Sequence, residues 1–75
     1  MLDLSTLKVG SKSEIIAIEN SSIKSKLIEM GFLVGRSIEV VFNAPLGDPI
    51  AIEINNTVIS LRKDEAAFIK VLEKK

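Results

Sequence analysis

Over most of the chain, apolar and polar side chains alternate with a period of two residues, which is the pattern of half-buried β-strands. Gly and Pro residues interrupt this pattern at short intervals, so each strand is expected to be short. The alternation predicts five strands, at residues 13–19, 36–43, 50–54, 57–61 and 68–72.

The same alternation predicts which side chains share a face in two of these strands. In strand 13–19, Ile16 and Ile18 are expected to share one face. In strand 36–43, three alternating apolar side chains are expected to point inward: Ile38, Val40 and Phe42. Both assignments follow from the two-residue period of side-chain direction in a strand.

Asn55 and Asn56 are predicted to form a two-residue hairpin loop between strands 50–54 and 57–61. A type I′ loop needs positive φ at both positions, and Asn adopts this conformation more readily than most residues. Loop length fixes strand register, and the register can be tested against burial. The predicted opposite pairs are mostly large aliphatic side chains: Ile50 with Leu61, Ile52 with Ile59, and Ile54 with Thr57.

One substantial helix is predicted at residues 21–30, because three apolar residues repeat there at helical spacing: Ile23, Leu27 and Met30. Ser21 or Ser22 is expected to cap its N-terminus, since a Ser oxygen can accept from a first-turn N–H. Gly31 is expected to end the helix with positive φ, and Phe32 to pack back on Leu27.

These elements predict a mainly β fold, formed by residues 1–75 as a single domain. A sheet of so few residues cannot bury two faces while flat, so it is expected to curl. The predicted architecture is a small SH3-like barrel of about five short strands. One α-helix is inserted between the first two strands, and a short helical turn at 62–67 precedes the last strand.

Composition narrows the chemistry that this fold can perform. The chain has 75 residues, with 10 basic and 10 acidic side chains and no Cys or His. Without Cys there are no disulfides or thiolate metal sites, and without His the usual general base and metal ligand are missing. Nucleic-acid binders usually carry a basic excess. We therefore expect no catalytic residues, no cofactor, no metal site and no nucleic-acid partner.

The carboxylates and the N-terminal residues do not change this expectation. Asp48, Asp64 and Glu65 have no neighbouring base or sufficient further ligands, so structural and capping roles are expected for them. No apolar run has the length needed to span a bilayer. The start, residues 1–4, lacks a charged segment followed by an apolar one, so no signal peptide is predicted. We expect a cytoplasmic protein without membrane insertion.

Motifs spread along the chain carry a resemblance to a known protein family. The entry segment carries Leu4, Leu7 and Gly10. The stretch L-I-E-M-G-F-L-V-G at 27–35 is similar to the family's Leu-x-x-Leu-Gly-Leu-x-x-Gly. The turn P-L-G-D-P at 45–49 is similar to the family's Pro-x-Gly-Asp-Pro. The last motif is I-S-L-R-K-D-E-A at 59–66, followed by Ile69 and Val71. Together these motifs cover nearly the whole chain and resemble those of the FeoA family, ferrous iron transport protein A.

The resemblance implies an SH3-like barrel and a role in ferrous iron uptake. It implies a small cytoplasmic accessory or regulator that binds the cytosolic nucleotide-binding part of FeoB, the membrane transporter. A similar barrel forms the C-terminal domain of iron-dependent repressors, so a stand-alone adaptor or metal-responsive sensor is the alternative. This chain has Lys24 and Lys26 where many family members have Arg.

Three residues are candidates for partner binding. Leu46 is a large apolar residue at a predicted loop tip between two prolines, where it can dock on a partner, although a rigid hairpin connection is the simpler interpretation of this turn. Lys24 and Lys26 can contact an acidic surface, although a solvated helix face is the simpler interpretation. Arg36 and Arg62 are less suited to act as an arginine finger, because both adjoin core strands. Pairing of exposed edge strands can also produce a homo-oligomer.

Overall fold

The structure, a computed structural model, describes residues 2–74. In this range six strands form one antiparallel sheet: β1 (Leu2–Asp3), β2 (Lys12–Ile18), β3 (Ser37–Asn43), β4 (Ile50–Ile54), β5 (Thr57–Leu61) and β6 (Ile69–Lys74). Helix α1 (Lys24–Glu29) connects β2 to β3, and helix α2 (Lys63–Ala66) connects β5 to β6. A single 3₁₀ turn, Leu4–Thr6, follows β1.

The strands lie in the order β1-β6-β2-β3-β4-β5, with β1 and β5 at the two edges. Among residues 2–74 no strand pairing joins these edges, so the predicted barrel is an unclosed sheet. The nearly equal dimensions of 29 × 26 × 24 Å show that the sheet curls around its core. The prediction of about five strands missed β1, whose two residues are too few to show an alternation.

The core is aliphatic and lies inside the curl. Its fully buried side chains come from β2 to β6, α1 and the segments flanking them, and the largest are Leu4, Ile15, Leu27, Phe32, Ile50, Ile52, Ile54, Leu61 and Ile69. Burial of this apolar surface is the main favourable term in folding, at about 25 cal/mol per Å². Neither helix among the described residues has the length and apolarity needed to cross a membrane.

The hairpin of β4 and β5 confirms the predicted loop and register. Asn55 and Asn56 have φ values of 53° and 61°, as a type I′ loop requires. Ile52 lies opposite Ile59, and its side chain is fully buried. Turn geometry and hydrophobic pattern therefore specify the same register.

Two predicted side-chain directions are wrong: that Phe42 points inward, and that Ile16 shares a face with Ile18. The pairing of β3 with β4 shifts register between Val40 and Phe42, so the Phe42 side chain turns outward and is 55% exposed. The pairing of β2 with β6 shifts in the same way after Ile15, which leaves Ile16 partly exposed. An extra residue on one strand interrupts the two-residue period, and a strictly alternating pattern cannot reveal it.

Helix α1 is shorter than predicted and starts at Lys24 without a capping side chain. The Ser21 hydroxyl, proposed as a cap, is buried without a hydrogen-bond partner among the described residues. The C-terminal end agrees with the prediction. Gly31 has φ 107° and donates to the Ile28 carbonyl at 3.0 Å, and Phe32 N–H donates to the Leu27 carbonyl at 3.1 Å. These two bonds define a Schellman motif.

Candidate functional site

Leu46 lies at the tip of the loop 44–49 that joins β3 to β4, and its side chain is 98% exposed. The loop folds on itself at its base. Gly47 N–H donates to the Ala44 carbonyl at 2.7 Å, and Ala44 N–H donates to the Pro49 carbonyl at 3.1 Å. The first bond closes a β-turn with Pro45 at its second position, where the fixed φ of Pro is favoured. An apolar side chain is thus held in solvent on an ordered turn.

Asp48 attaches this loop to a second element. Its Oδ1 accepts a hydrogen bond of 2.9 Å from the backbone N–H of Lys63, the first residue of α2. The first N–H groups of a helix have no intrahelical acceptor, and a carboxylate there also interacts favourably with the helix dipole. The predicted structural role of Asp48 is therefore observed, with α2 as its partner.

Lys24 and Lys26 differ in their surroundings. The Lys26 ammonium lies 3.1 Å from Glu65 Oε2, in an ion pair between α1 and α2. Lys24 is partly buried and borders an apolar groove. Of the two lysines, Lys26 has an internal acidic partner, so its charge is already partly balanced.

Glu65 stabilises the start of α2. Its Oε1 accepts a hydrogen bond of 3.0 Å from the backbone N–H of Arg62, the residue that precedes the helix. This bond lowers the pKa of the Glu65 carboxyl below its ordinary value, and the interaction with Lys26 is the next largest cause of the same shift. Asp64 lies in the same first turn. These carboxylates therefore have the capping roles that the sequence predicts.

The candidate residues meet through α2. Asp48 bonds to Lys63 at the start of this helix, and Lys26 bonds to Glu65 within the same first turn. Neither contact could be expected from the sequence, because the partners are 15 and 39 residues apart. Helix α2 thus fixes both the Leu46 loop and the Lys26 side of α1.

The two arginines are held by local contacts. Arg36 Nη1 donates to Asn55 Oδ1 at 2.6 Å, which links the start of β3 to the hairpin loop. Arg62 Nε lies 3.9 Å from Asp64 Oδ1. Both guanidinium groups therefore contact side chains of their own domain.

An apolar groove that sequence reasoning missed lies between α1, the segment after it and β2. Its volume is about 430 Å³, and its lining residues include Ile16, Ile28, Leu33, Val34 and Lys24. The signal for it is the consecutive apolar run 32–34, in which only Phe32 enters the core. Within residues 2–74 no group of three or more acidic side chains could hold a metal ion.

The sequence and the fold match a known family over almost their full extent. The model of the FeoA domain matches residues 2–73. The chain belongs to the FeoA family. Members of this family are associated with ferrous iron transport.

The chain is 39% identical over 69 residues to a fusion of Fe(2+) transport protein A with the Fe(2+) transporter FeoB from Porphyromonas gingivalis. This match covers 91% of the chain and 8% of the fusion protein. The solution structure of iron(II) transport protein A from Clostridium thermocellum is 46% identical, with a TM-score of 0.88. That match covers 93% of this chain and 44% of the other. The chain therefore spans less than half of either relative.

A third similar structure supports the fold. The crystal structure of FeoA from Stenotrophomonas maltophilia, complexed with zinc and described as an SH3 domain protein, has a TM-score of 0.87. The match covers 100% of this chain and 98% of the other, at 24% identity. The predicted SH3-like architecture is confirmed as a fold, with an open sheet in this chain.

Proposed function

We propose that this protein is a cytoplasmic accessory of ferrous iron uptake that binds the cytosolic part of a FeoB-type transporter and performs no catalysis itself. The observation that carries the proposal is the fusion relative, in which a similar segment and a FeoB transporter are one chain. Covalent linkage holds two modules at high effective concentration and favours a contact between them.

Leu46 is the docking residue that we propose for this contact. A side chain contributes most to affinity when it is fully desolvated in a pocket of the partner and loses little freedom on binding. Leu46 is 98% exposed, and its turn is closed by the Gly47–Ala44 bond and tied to α2 by Asp48. Because the loop is ordered before binding, little additional backbone entropy is lost.

Lys24 is the better of the two lysines for a supporting charge contact with an acidic partner surface. Lys26 is the weaker candidate, since a partner carboxylate has to compete with Glu65 at 3.1 Å. Exposed charge pairs change the association rate more than the affinity. We therefore assign the affinity to Leu46 and only steering to the lysines.

The test is retention of the protein by a detergent-solubilised FeoB-type transporter from the same source. Wild type, Leu46→Asp and Val34→Asp are compared, because Val34 is an exposed residue of the apolar groove between α1 and β2. Retention of wild type and Val34→Asp with loss of Leu46→Asp supports the proposal. If wild type is not retained, the proposed function is contradicted. If only Val34→Asp fails to be retained, the docking site is the groove and not Leu46.

A further inference from the structure

Four charged side chains form one continuous row across the outer face of the sheet. The registers place Lys74 of β6 opposite Lys12 of β2, Lys12 opposite Glu39 of β3, and Glu39 opposite Glu53 of β4. Residues opposite each other in antiparallel strands project on the same face, and neighbouring strands lie about 4.8 Å apart. The order along the row is therefore two positive charges followed by two negative charges.

This order is unfavourable within one molecule. Like charges directly opposite each other across strands are destabilising. Two of the three neighbour pairs in the row are of that kind, Lys74 with Lys12 and Glu39 with Glu53. Within residues 2–74, none of the four side chains belongs to an ion pair. The Lys74 ammonium instead donates to Ser37 Oγ at 2.6 Å.

The four charged residues border a groove that extends to the hairpin loop at Asn55 and Asn56. It has a volume of about 350 Å³, and all four charged residues line it together with Ser37, Ile38, Ile54, Asn55 and Asn56. Ile38 and Ile54 are the apolar residues of its lining, and the other lining side chains are polar or charged. The chain also carries no net charge, with 10 basic and 10 acidic side chains, so long-range repulsion between copies is small.

We propose that this face binds a second copy of the chain in an isologous, two-fold symmetric contact. A two-fold axis that runs along the strands, between β2 and β3, reverses the row in the second copy. Lys12 then faces Glu39 of the second copy, and Lys74 faces Glu53 of the second copy. Each pair occurs twice, as a two-fold interface requires. Every like-charge neighbour thereby gains an opposite charge.

Because the sheet is twisted, the pair of Lys12 with Glu39 and the pair of Lys74 with Glu53 do not approach the second copy to the same distance. Adjacent strands rotate by about 20–25°, so the row curves away from a flat partner toward its ends. The pair of Lys12 and Glu39 lies next to the proposed axis and approaches the second copy most closely. The contact is expected to be polar, weak and sensitive to salt, because exposed charges are screened over about 10 Å at 0.1 M ionic strength.

The test is sedimentation equilibrium of the full chain at low and high NaCl, about 20 mM and about 500 mM, which changes the screening length several-fold. Wild type is compared with Lys12→Glu, with Glu39→Lys and with the double exchange of both residues. The double exchange restores opposite charges across the axis. Lys8→Glu is the control, since Lys8 is exposed and lies outside the row and the groove.

A wild-type dimer at low salt is expected, with dissociation increased about tenfold or more by each single exchange, as like charges across an interface are strongly unfavourable. The double exchange is expected to restore the dimer, and Lys8→Glu to leave it unchanged. A monomer under all conditions overturns the proposal, as does a dimer that is insensitive to salt and to both single exchanges. Binding to the transporter is measured separately, so either proposal can fail alone.

Discussion

Asp48 Oδ1 accepts a 2.9 Å hydrogen bond from the backbone N–H of Lys63, across 15 residues of sequence. This bond joins the loop that carries Leu46 to the helix that also binds Lys26 through Glu65. One carboxylate thereby fixes the base of the exposed loop without restricting the Leu46 side chain. The residues that order the loop are therefore different from Leu46, the residue that we propose as the contact with the partner.

Replacing Ile52 with Ala tests the hairpin register. Ile52 is fully buried opposite Ile59, so the change leaves a cavity and is expected to cost about 2–5 kcal/mol of unfolding free energy. Val58→Ala on the same hairpin, where the side chain is 59% exposed, is the control and should cost less than about 0.5 kcal/mol. Urea unfolding measures both. Equal losses in the two variants would contradict the register.

Gly31→Val tests the helix stop after α1. Gly31 has φ 107°, and a Cβ there lies 3.7 Å from its nearest neighbour, Asn55 Nδ2, which is an ordinary contact. The cost is therefore one of backbone strain, about 1–3 kcal/mol for a β-branched residue. Gly31→Asn is expected to lose less, because Asn adopts positive φ more readily. Thermal unfolding measures which of the two variants loses more stability. An equal loss of stability in both variants contradicts the strain argument.

The lowered pKa of Glu65 predicts a specific acid sensitivity. A carboxyl with a folded-state pKa below the unfolded value stabilises the fold above the unfolded pKa, near 4.3, and this contribution is lost as pH falls through the folded pKa. Glu65→Gln keeps an oxygen that can accept from Arg62 but removes the charge. The stability difference between wild type and Glu65→Gln is therefore expected to shrink as pH falls below about 4.3. A stability difference that does not change with pH contradicts the lowered pKa of Glu65.

Metal titration separates an accessory protein from a metal-responsive sensor. Zn²⁺ and Fe²⁺ favour imidazole and thiolate ligands, and the chain has no His or Cys. Calorimetry of the isolated protein is expected to show no binding at micromolar concentrations. A stoichiometric site of micromolar affinity or tighter contradicts this prediction and favours the sensor.

The parts of the fold that could be predicted depend on residues close in sequence. Asn55 and Asn56 define their own loop, and Gly31 with Phe32 defines the end of α1, because the bonding partners are at most a few residues away. Phe42 was misplaced, since its direction depends on an irregular pairing with Ala51 on another strand. The charge row has the same origin, because it exists only through the registers of four strands.

Only part of the candidate site could be predicted from the sequence, for a similar reason. Pro45 and Gly47 mark the turn locally, so the exposure of Leu46 could be expected from sequence. The contacts of Asp48 with Lys63 and of Lys26 with Glu65 cross between distant segments, and only the folded chain brings them together. Whether Leu46 binds a partner stays a prediction.

The central claim is that Leu46 docks on the cytosolic part of a FeoB-type transporter. The most direct measurement is a binding isotherm of wild type and Leu46→Asp with the isolated cytosolic nucleotide-binding domain, repeated with each guanine nucleotide. Val58→Asp, an exposed apolar residue away from the loop, is the matched control, and thermal unfolding monitors the fold.

Leu46→Asp is expected to weaken binding by at least about 1 kcal/mol, or roughly fivefold in Kd. Its melting temperature is expected to stay unchanged, because Pro45, Gly47 and Asp48 are retained, and Val58→Asp is expected to leave binding unchanged. Unchanged binding of Leu46→Asp together with a lowered melting temperature would contradict the claim.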